Sequence, residues 1–458
     1  MQFVRDSWWR RHFSTPTRVI VLSFLAVIIV GALLLSTPLC SKSGSFTPPV
    51  DAAFTATSAT CVTGLIVEDT YTHWNLFGQI IILTMIQIGG IGLVTFTAFF
   101  NRVIGRKLGV RNLVAAKESI IAENLSETSQ LVQLIVKFTF ACEAVGAAVL
   151  CIAFVPKFGV GQGIWTSIFL SVSAFCNAGF DIVGIDRPFC SLMDYASDPL
   201  VLITLMALIV FGGLGFIVWF NIYEFRKNRK IMLHTKLVLV MTVILLIMGF
   251  AAFLIFEWDN PKTLGHFSDG DKFLNAMFQS VSLRTAGFNT IDFRGANDIT
   301  KLISMFLMFV GGAPGSTAGG LKVTTLAVLV MTVICVIRGD DDTYIAGRRV
   351  AKSTVYKALA VLFSMLAFVV VASGVIYYTS KFHNLKLIDC AFEAVSAMGT
   401  VGVSAGSTAV GNIASHITLI LVMFVGRVGP VSLALSLAMR QENKRKNQVV
   451  PEAKIIIG

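Results

Sequence analysis

Four short segments, each ending in a glycine, hold the residues whose types and spacing are best suited to chemistry. The glycines lie 115, 108 and 115 residues apart (179−64, 287−179, 402−287). The segments, here called the glycine turns, comprise Val62, Thr63 and Gly64; Asn177, Ala178 and Gly179; Thr285, Ala286 and Gly287; and Thr400, Val401 and Gly402. Because glycine tolerates a positive φ, such a turn can point its carbonyls at a shared axis. Four turns would then form rings of oxygen atoms that replace the hydration shell of a cation.

A short helix is predicted before each glycine turn. Every turn has an upstream phenylalanine, and three residues before it stands a type that favours a helix N-terminus. These pairs are Asp51 and Phe54, Thr166 and Phe169, Asn275 and Phe278, and Asp389 and Phe392. The negative C-terminal end of each helix would point at the axis and favour a cation. The alternative is a repeated helix-packing motif, but four copies at a common spacing favour the cation pathway.

The elements that must position these turns are membrane helices. Hydrophobic residues make up 55% of the 458 residues and the mean hydropathy is +0.77, which indicates a polytopic membrane protein and excludes a soluble enzyme. The net charge of +11 comes from Lys and Arg concentrated between the repeats. The positive-inside rule explains this distribution without nucleic acid. The Cys and His residues form no metal-ligand set or nucleophile–base constellation, so a membrane enzyme is disfavoured.

The sequence predicts an all-α membrane protein with eight spans and four re-entrant pore loops. Its four repeats are 17–122, 123–230, 231–349 and 350–440, between a cytoplasmic N-terminus (1–16) and a cytoplasmic tail (441–458). The returning spans are expected at 76–100, 200–223, 303–337 and 413–439. Each segment from phenylalanine to glycine has about ten residues, too few to cross about 30 Å of hydrocarbon. Irregular backbone at that depth must be buried in protein or line a cavity, so the spans should surround a central pore.

The returning spans contain a second repeat, which departs from its pattern in the third unit. In the first two units the glycines at 89–92 and 212–215 are explained by close helix packing. The third unit continues as Gly311, Gly312, Ala313, Pro314, Gly315, Ser316, Thr317, Ala318, Gly319, Gly320, Leu321 and Lys322, here called the glycine-rich loop. It lacks the Gly-Lys-Ser/Thr ending of a phosphate-binding loop. A flexible plug just inside the glycine turns is predicted, with a passive helix kink as the alternative.

Arg427 occupies the position that is Gly90, Gly213 and Gly312 in the other repeats. A charge at membrane depth costs at least about 2.5–3.5 kcal/mol, so it should face a cavity and have a partner. The carbonyls and hydroxyls of the glycine-rich loop are the expected partners, and loop and arginine would form one barrier to a cation. Lys322 belongs either to this barrier or to a snorkelling anchor.

Other charged residues have weaker interpretations. Acidic side chains in the outward loops would raise the local cation concentration, with ordinary solvated loops as the alternative for part of the set. They are Glu68, Asp69, Asp181, Asp186, Asp194, Asp198, Asp292 and Asp298. Lys137 and Glu143, on one predicted span, are expected to be a packing pair or a subunit contact.

The glycine turns, the glycine-rich loop and the Gly-Arg-Val-Gly-Pro motif at 426–430 resemble the Ktr/Trk/HKT superfamily of potassium-translocating proteins, most closely its bacterial KtrB-type membrane subunits. The resemblance covers roughly residues 18–440. It implies four M1–pore-helix–M2 repeats, with the twelve residues of the glycine turns as a potassium selectivity filter. It also implies that residues 311–320 and Lys322 form an intramembrane gating loop, and that Arg427 faces the gate. Ala318 departs from the family, where glycine is frequent.

The predicted function is potassium uptake through a gated, channel-like pore, passive or sodium-linked, without covalent chemistry. The alternative is a secondary solute carrier with broken helices at the midplane, although such repeats are commonly inverted and these run in one direction. The resemblance implies a homodimer in the cell membrane, docked on a cytosolic KtrA-like nucleotide-binding ring. Residues 340–342, beside Arg348 and Arg349, either dock that ring or form a solvated loop.

Overall fold

The computed structural model describes residues 16–92, 125–185, 187–380, 385–408 and 410–430. Helices dominate this part of the chain, and its single sheet is a hairpin of β1 (Tyr344–Ile345) and β2 (Arg348–Arg349). The predicted helical fold class is confirmed at this level. The predicted N-terminal segment, the linker after residue 100 and the tail lie outside the described residues.

Each sequence repeat folds as a long helix, a short helix and a returning helix. The first contains α1 (Pro16–Leu35), α2 (Pro49–Cys61), α3 (Thr70–His73) and α4 (Leu76–Ile91), and the second contains α5 (Leu125–Phe158), α6 (Val160–Phe175), α7 (Pro199–Gly213) and α8 (Phe216–Asn228). The third contains α9 (Leu233–Glu257), α10 (Asp269–Ser282), α11 (Asp298–Phe309) and α12 (Val323–Ile337), and the fourth contains α13 (Lys352–Thr379), α14 (Leu387–Gly399) and α15 (Ile413–Val428). Among the described helices, α1, α5, α9 and α13 are each long and apolar enough to cross a membrane.

Two of the returning helices are broken within the described residues, and the segment at 200–223, predicted as one span, consists of two helices. Helices α7 and α8 meet at 90° around Gly215, whose φ is 88°. Gly92 and Gly429 stop α4 and α15 in the same conformation, with φ of 85° and 88°. Close packing explains Gly89, Gly90 and Gly212, where an added Cβ would collide with a neighbouring segment. The glycine at the fourth position of the motif instead ends the helix, because it adopts a left-handed conformation that few other residues tolerate.

Burial divides the helices into an inner and an outer set. The short helices α2, α6, α10 and α14 are buried over most of their second halves. The long helices instead expose large apolar side chains, such as Leu33 on α1 and Val370 on α13. An apolar exterior around a core that contains many hydroxyls is the distribution expected of a protein surrounded by lipid.

Polar contacts join each repeat to the short helix of the next one, three of them from the returning helix and one from Ala196, which lies just before α7. From the first junction to the last, they are Trp165 Nε1 to Gln79 Oε1 (2.8 Å), Asn275 Nδ2 to the Ala196 carbonyl (2.9 Å), Lys301 Nζ to Asp389 (2.8 Å) and His416 Nδ1 to Asp51 (3.8 Å). The prediction that Thr166 and Asn275 begin their helices is wrong, since α6 starts at Val160 and α10 at Asp269. At three of the four equivalent positions the side chain makes an inter-repeat contact instead.

Candidate functional site

Each glycine turn contains two residues in the left-handed region. The glycines have φ of 89°, 70°, 90° and 99° at Gly64, Gly179, Gly287 and Gly402. The residue two positions earlier is also left-handed, with φ of 58°, 58°, 70° and 52° at Val62, Asn177, Thr285 and Thr400. Non-glycine residues adopt this conformation only where the surroundings impose it, and such strain clusters at functional sites. No residue type signals this conformation in the sequence, because three different types occupy the four positions.

The four glycine turns lie side by side in a closed ring. A Cβ atom added to any of the glycines would collide with a carbonyl of the neighbouring turn. The colliding pairs are Gly64 with Ala178, Gly179 with Ala286, Gly287 with Val401, and Gly402 with Thr63. Each glycine thus faces the residue that precedes the next glycine, and the fourth turn closes on the first. All four glycines line one outer cavity of about 500 Å³.

One serine on each short helix holds the adjacent turn. The hydroxyls of Ser58 and Ser396 accept hydrogen bonds from the backbone N–H groups of Gly64 and Gly402, at 3.1 Å in both cases. In the second and third repeats the equivalent hydroxyls donate instead, Ser173 to the Phe180 carbonyl (2.6 Å) and Ser282 to the Phe288 carbonyl. Serine stands four residues after the upstream phenylalanine in all four repeats. The common spacing of this serine is a signal that the alignment of the four repeats contains.

In the third and fourth repeats, a second side chain of the short helix forms hydrogen bonds with the segment that follows the glycine turn. Gln279 Nε2 donates to Thr290 Oγ1 (3.0 Å). The fully buried carboxylate of Glu393 accepts bonds from the Thr408 hydroxyl (2.8 Å), the Ser407 N–H (3.0 Å) and the Ser404 hydroxyl. The equivalent residues of the first two repeats are Thr55 and Leu170. Thr55 Oγ1 is buried without a hydrogen-bond partner among the described residues, so this tie belongs to half of the ring.

The outer cavity carries charges of both signs. Asp69, Asp181 and Asp292 line it, but so do Arg187 and Arg294. Burial and the nearby Asp69 carboxylate raise the pKa of Asp181 to about 7. The predicted acidic set is therefore only partly at the cavity. Asp198 caps α7 through the N–H groups of Leu200 and Val201, Asp194 pairs with Arg187 at 3.2 Å, and Asp186 lies outside the described residues.

The glycine-rich loop packs directly inside the ring, and its predicted lack of helix is confirmed. Thr317 Oγ1 donates to the Phe175 carbonyl at the end of α6 (3.2 Å), and a Cβ on Gly319 would collide with Thr400 of the fourth glycine turn. The loop also binds the break between α7 and α8. Ala313 N donates to the Gly213 carbonyl, and Phe216 N donates to the Gly315 carbonyl, both at 3.0 Å.

Arg427 bridges this loop to the first repeat. Its guanidinium donates to the Thr317 carbonyl and to the Gly89 carbonyl on α4. The first contact is the one expected from its place in the repeat, and the second was not foreseen. Among the described residues, Arg427 makes no salt bridge with a carboxylate.

Three further charged residues have partners that the sequence pattern does not indicate. Lys322 Nζ donates to the Ala318 carbonyl within the loop (2.6 Å). Arg284 donates to the Gly311 carbonyl at 3.3 Å, which links the third glycine turn to the loop. Glu143 accepts from Gln87 Nε2 at 3.0 and 3.2 Å. Lys137 is exposed and forms no ion pair with Glu143, so the packing pair is wrong and the subunit contact stays a prediction.

A bundle of apolar helices around a closed ring of backbone turns, with four helix C-termini directed at the ring, defines a membrane protein suited to cation transport. The family model of TrkH, described as a cation transport protein, matches residues 2–448, and the chain belongs to this family. Cation transport is a function of a non-enzymatic kind.

Proteins with known names extend the comparison. The potassium/sodium uptake protein NtpJ of Enterococcus hirae is 38% identical, with 97% of each chain covered. The Ktr system potassium uptake protein B of Bacillus subtilis is 36% identical, again with 97% of each covered. The crystal structure of the potassium transporter TrkH from Vibrio parahaemolyticus matches 95% of this chain and 86% of its own, with a TM-score of 0.68 and 19% identity. That last match supports the fold.

Proposed function

We propose that this protein takes up potassium ions across the cell membrane through a gated, channel-like pore formed by its four repeats. The observation that carries the proposal is the closed ring of glycine turns, in which every glycine faces a carbonyl of the next turn. The names of the relatives add the ion, since both uptake proteins are named for potassium and one also for sodium. The twelve residues of the glycine turns form the selectivity filter, and sodium acts as a coupling or activating ion.

The glycine-rich loop and Arg427 form the gate of this pore. The support is positional, because the loop bonds the end of α6, lies against Thr400 of the fourth turn, and is held by Arg427 through the Thr317 carbonyl. A guanidinium at this depth also repels a permeating cation. Residues 311–320 with Lys322 move aside when the gate opens, and Arg427 then loses its bond to the loop.

The protein works as the membrane subunit of a larger system. The relative from Bacillus subtilis is named as protein B of a Ktr system, which implies more than one component. We assign to this chain a homodimer and a cytosolic KtrA-like ring as partners, with both termini on the cytoplasmic side. Arg349 and Lys352 pair with Asp342 at 2.9 and 3.7 Å, which leaves Asp340 and Asp341 to meet such a ring.

Potassium-limited growth of an uptake-deficient cell tests the function. Expression of the chain with a ring subunit should restore growth and rubidium uptake at low external potassium. The control is the same cell with the Gly287→Ser variant, verified in the membrane fraction, which should not restore potassium preference. Uptake of an organic solute in proteoliposomes, without any potassium flux, would instead favour a solute carrier.

A further inference from the structure

A basic cavity lies at the ends of the helices opposite the outer cavity. It has a volume of about 980 Å³ and is lined by α8, by the linker to α9, by the start of α9 and by Arg348 of the β1–β2 hairpin. Four basic side chains surround it, and Glu224 is its only acidic lining residue in the described chain. The basic residues are Arg229, Lys230, Lys236 and Arg348.

None of these four basic residues forms a salt bridge within the described chain. Nearby basic side chains behave differently, since Arg349 and Lys352 are both neutralised by Asp342. His234 also lines the cavity, and its Nε2 atom is buried without a hydrogen-bond partner there. Uncompensated positive charges that converge on one cavity favour an anionic ligand.

Apolar side chains beside the charges indicate a ligand within the membrane surface. Ile222, Phe225, Ile231 and Met232 are exposed by 41%, 41%, 41% and 46%. They stand next to the basic residues in the sequence, and α8 turns away from α7 by 90° instead of continuing across the bilayer. A helix with exposed apolar and aromatic residues beside Lys and Arg is typical of the boundary between headgroups and acyl chains.

We propose that this cavity binds the phosphate headgroup of an anionic phospholipid of the inner leaflet. The basic residues hold the phosphate, and the exposed apolar residues contact the acyl chains beside it. Basic pockets between membrane helices on the cytoplasmic side are suited to such headgroups. The neighbouring apolar side chains favour a lipid over a soluble phosphate compound, which would leave them in water.

The position of α8 gives the lipid a consequence for the pore. Phe216 begins α8, and its backbone N–H donates to Gly315 of the glycine-rich loop. A lipid that restrains the far end of α8 therefore restrains the attachment point of the loop. This consequence rests on the proposed function, whereas the lipid site itself does not depend on transport.

Lipid binding to the purified full-length protein tests the site. Phosphatidylglycerol and phosphatidylcholine are titrated into detergent-solubilised protein, and bound lipid is counted by native mass spectrometry. Phosphatidylglycerol should bind more tightly, and Arg348→Gln or Lys230→Gln should each weaken it by about fivefold. Arg349→Gln is the matched control, because it removes an adjacent charge that Asp342 already neutralises. Lys230→Arg should retain binding.

Several outcomes would overturn the assignment. Equal binding of the two lipids, or equal losses in Arg348→Gln and Arg349→Gln, would remove the headgroup site. Displacement of phosphatidylglycerol by millimolar inorganic phosphate would assign the cavity to a soluble anion. Unchanged lipid binding with weakened attachment of a cytosolic ring subunit would assign it to a protein partner. Because the readout is binding, a protein that transports no potassium can still pass this test.

Discussion

The four repeats are equivalent in the ring of glycine turns but not in the layer just inside it, which contains the ends of the returning helices, the glycine-rich loop and Arg427. In the ring, every repeat has the same pair of left-handed residues, the same serine behind it and the same contact with the next turn. In the inner layer, three repeats stop their returning helix at an equivalent glycine. The third repeat inserts the glycine-rich loop there, and the fourth places Arg427 beside it.

This difference separates two physical demands. A site that surrounds an ion needs equivalent oxygen atoms on all sides, so every repeat is held to one geometry. A gate needs one element that moves and one that holds it, so identical repeats would be unsuitable. The predictions below test this division by making one layer more symmetric or the other less so.

Replacing Arg427 with Ala should have the largest effect, because it returns the inner layer towards symmetry. Only the bond to the Thr317 carbonyl holds the loop, and a charge-assisted hydrogen bond of this kind is worth about 1.5–3 kcal/mol. The open probability should rise roughly ten- to a hundredfold, at a factor of ten per 1.4 kcal/mol. Rubidium flux in proteoliposomes measures it, and Arg427→Lys should fall between because it loses the planar fork.

A double variant checks that loop and arginine form one barrier. Arg427→Ala combined with deletion of residues 313–319 should add little to either change alone. If the two flux increases multiply, the charge and the loop act independently. Arg427 would then have only a structural role.

Gly287→Ser breaks the symmetry of the ring and should reduce the preference for potassium over sodium by about tenfold. The new Cβ meets the Val401 carbonyl, and a non-glycine residue at this φ adds about 1–3 kcal/mol of strain. Ion competition in an uptake assay measures the change. Gly159→Ser is the control, since its φ of 79° is also left-handed but nothing lies within 4 Å of the added Cβ. Equal effects of the two variants would exclude the collision as the cause.

Removing the hydrogen bonds of Glu393 should have a smaller effect, because such bonds hold only the third and fourth repeats of the ring. Glu393→Gln leaves some of its donors unpaired and should lower the free energy of unfolding by about 1–3 kcal/mol. Gln279→Leu, which copies Leu170 of the second repeat, should cost less. Thermal unfolding and ion competition measure both. If Gln279→Leu lowers the free energy of unfolding more than Glu393→Gln does, the Gln279 hydrogen bond is the more important of the two.

External pH should have the smallest effect. With a pKa of about 7, Asp181 is ionised above neutral pH and protonated below it, so acid removes a negative charge from the outer cavity. Lowering the external pH from 8 to 6 should raise the KM for potassium by about twofold. Asp181→Asn should abolish this dependence, and Asp198→Asn, which alters only a helix cap, should retain it. A pH response that survives Asp181→Asn would place the titrating group elsewhere.

The sequence predicted what repetition and composition determine. The spacing of Gly64, Gly179, Gly287 and Gly402 identified the four repeats, and the composition of residues 311–322 predicted a break in the helix. The sequence did not reveal the 90° bend at Gly215, because closely spaced glycines are compatible with either tight helix packing or a turn. The second contact of Arg427 and the buried tie of Glu393 depend on partners 338 and up to 15 residues away, which no local pattern specifies.

The direction of the ring contacts has a consequence for how the protein is made. Each turn is covered by the one synthesised after it, except the last, which must close on Thr63 of the first. Arg427 and His416 also reach back to the first repeat, through Gly89 and Asp51. The ring in a nascent chain therefore stays open until the fourth repeat has inserted, since closure needs contacts of very large sequence separation. Premature termination before residue 400 would leave a membrane protein whose first and third turns each lack one neighbour.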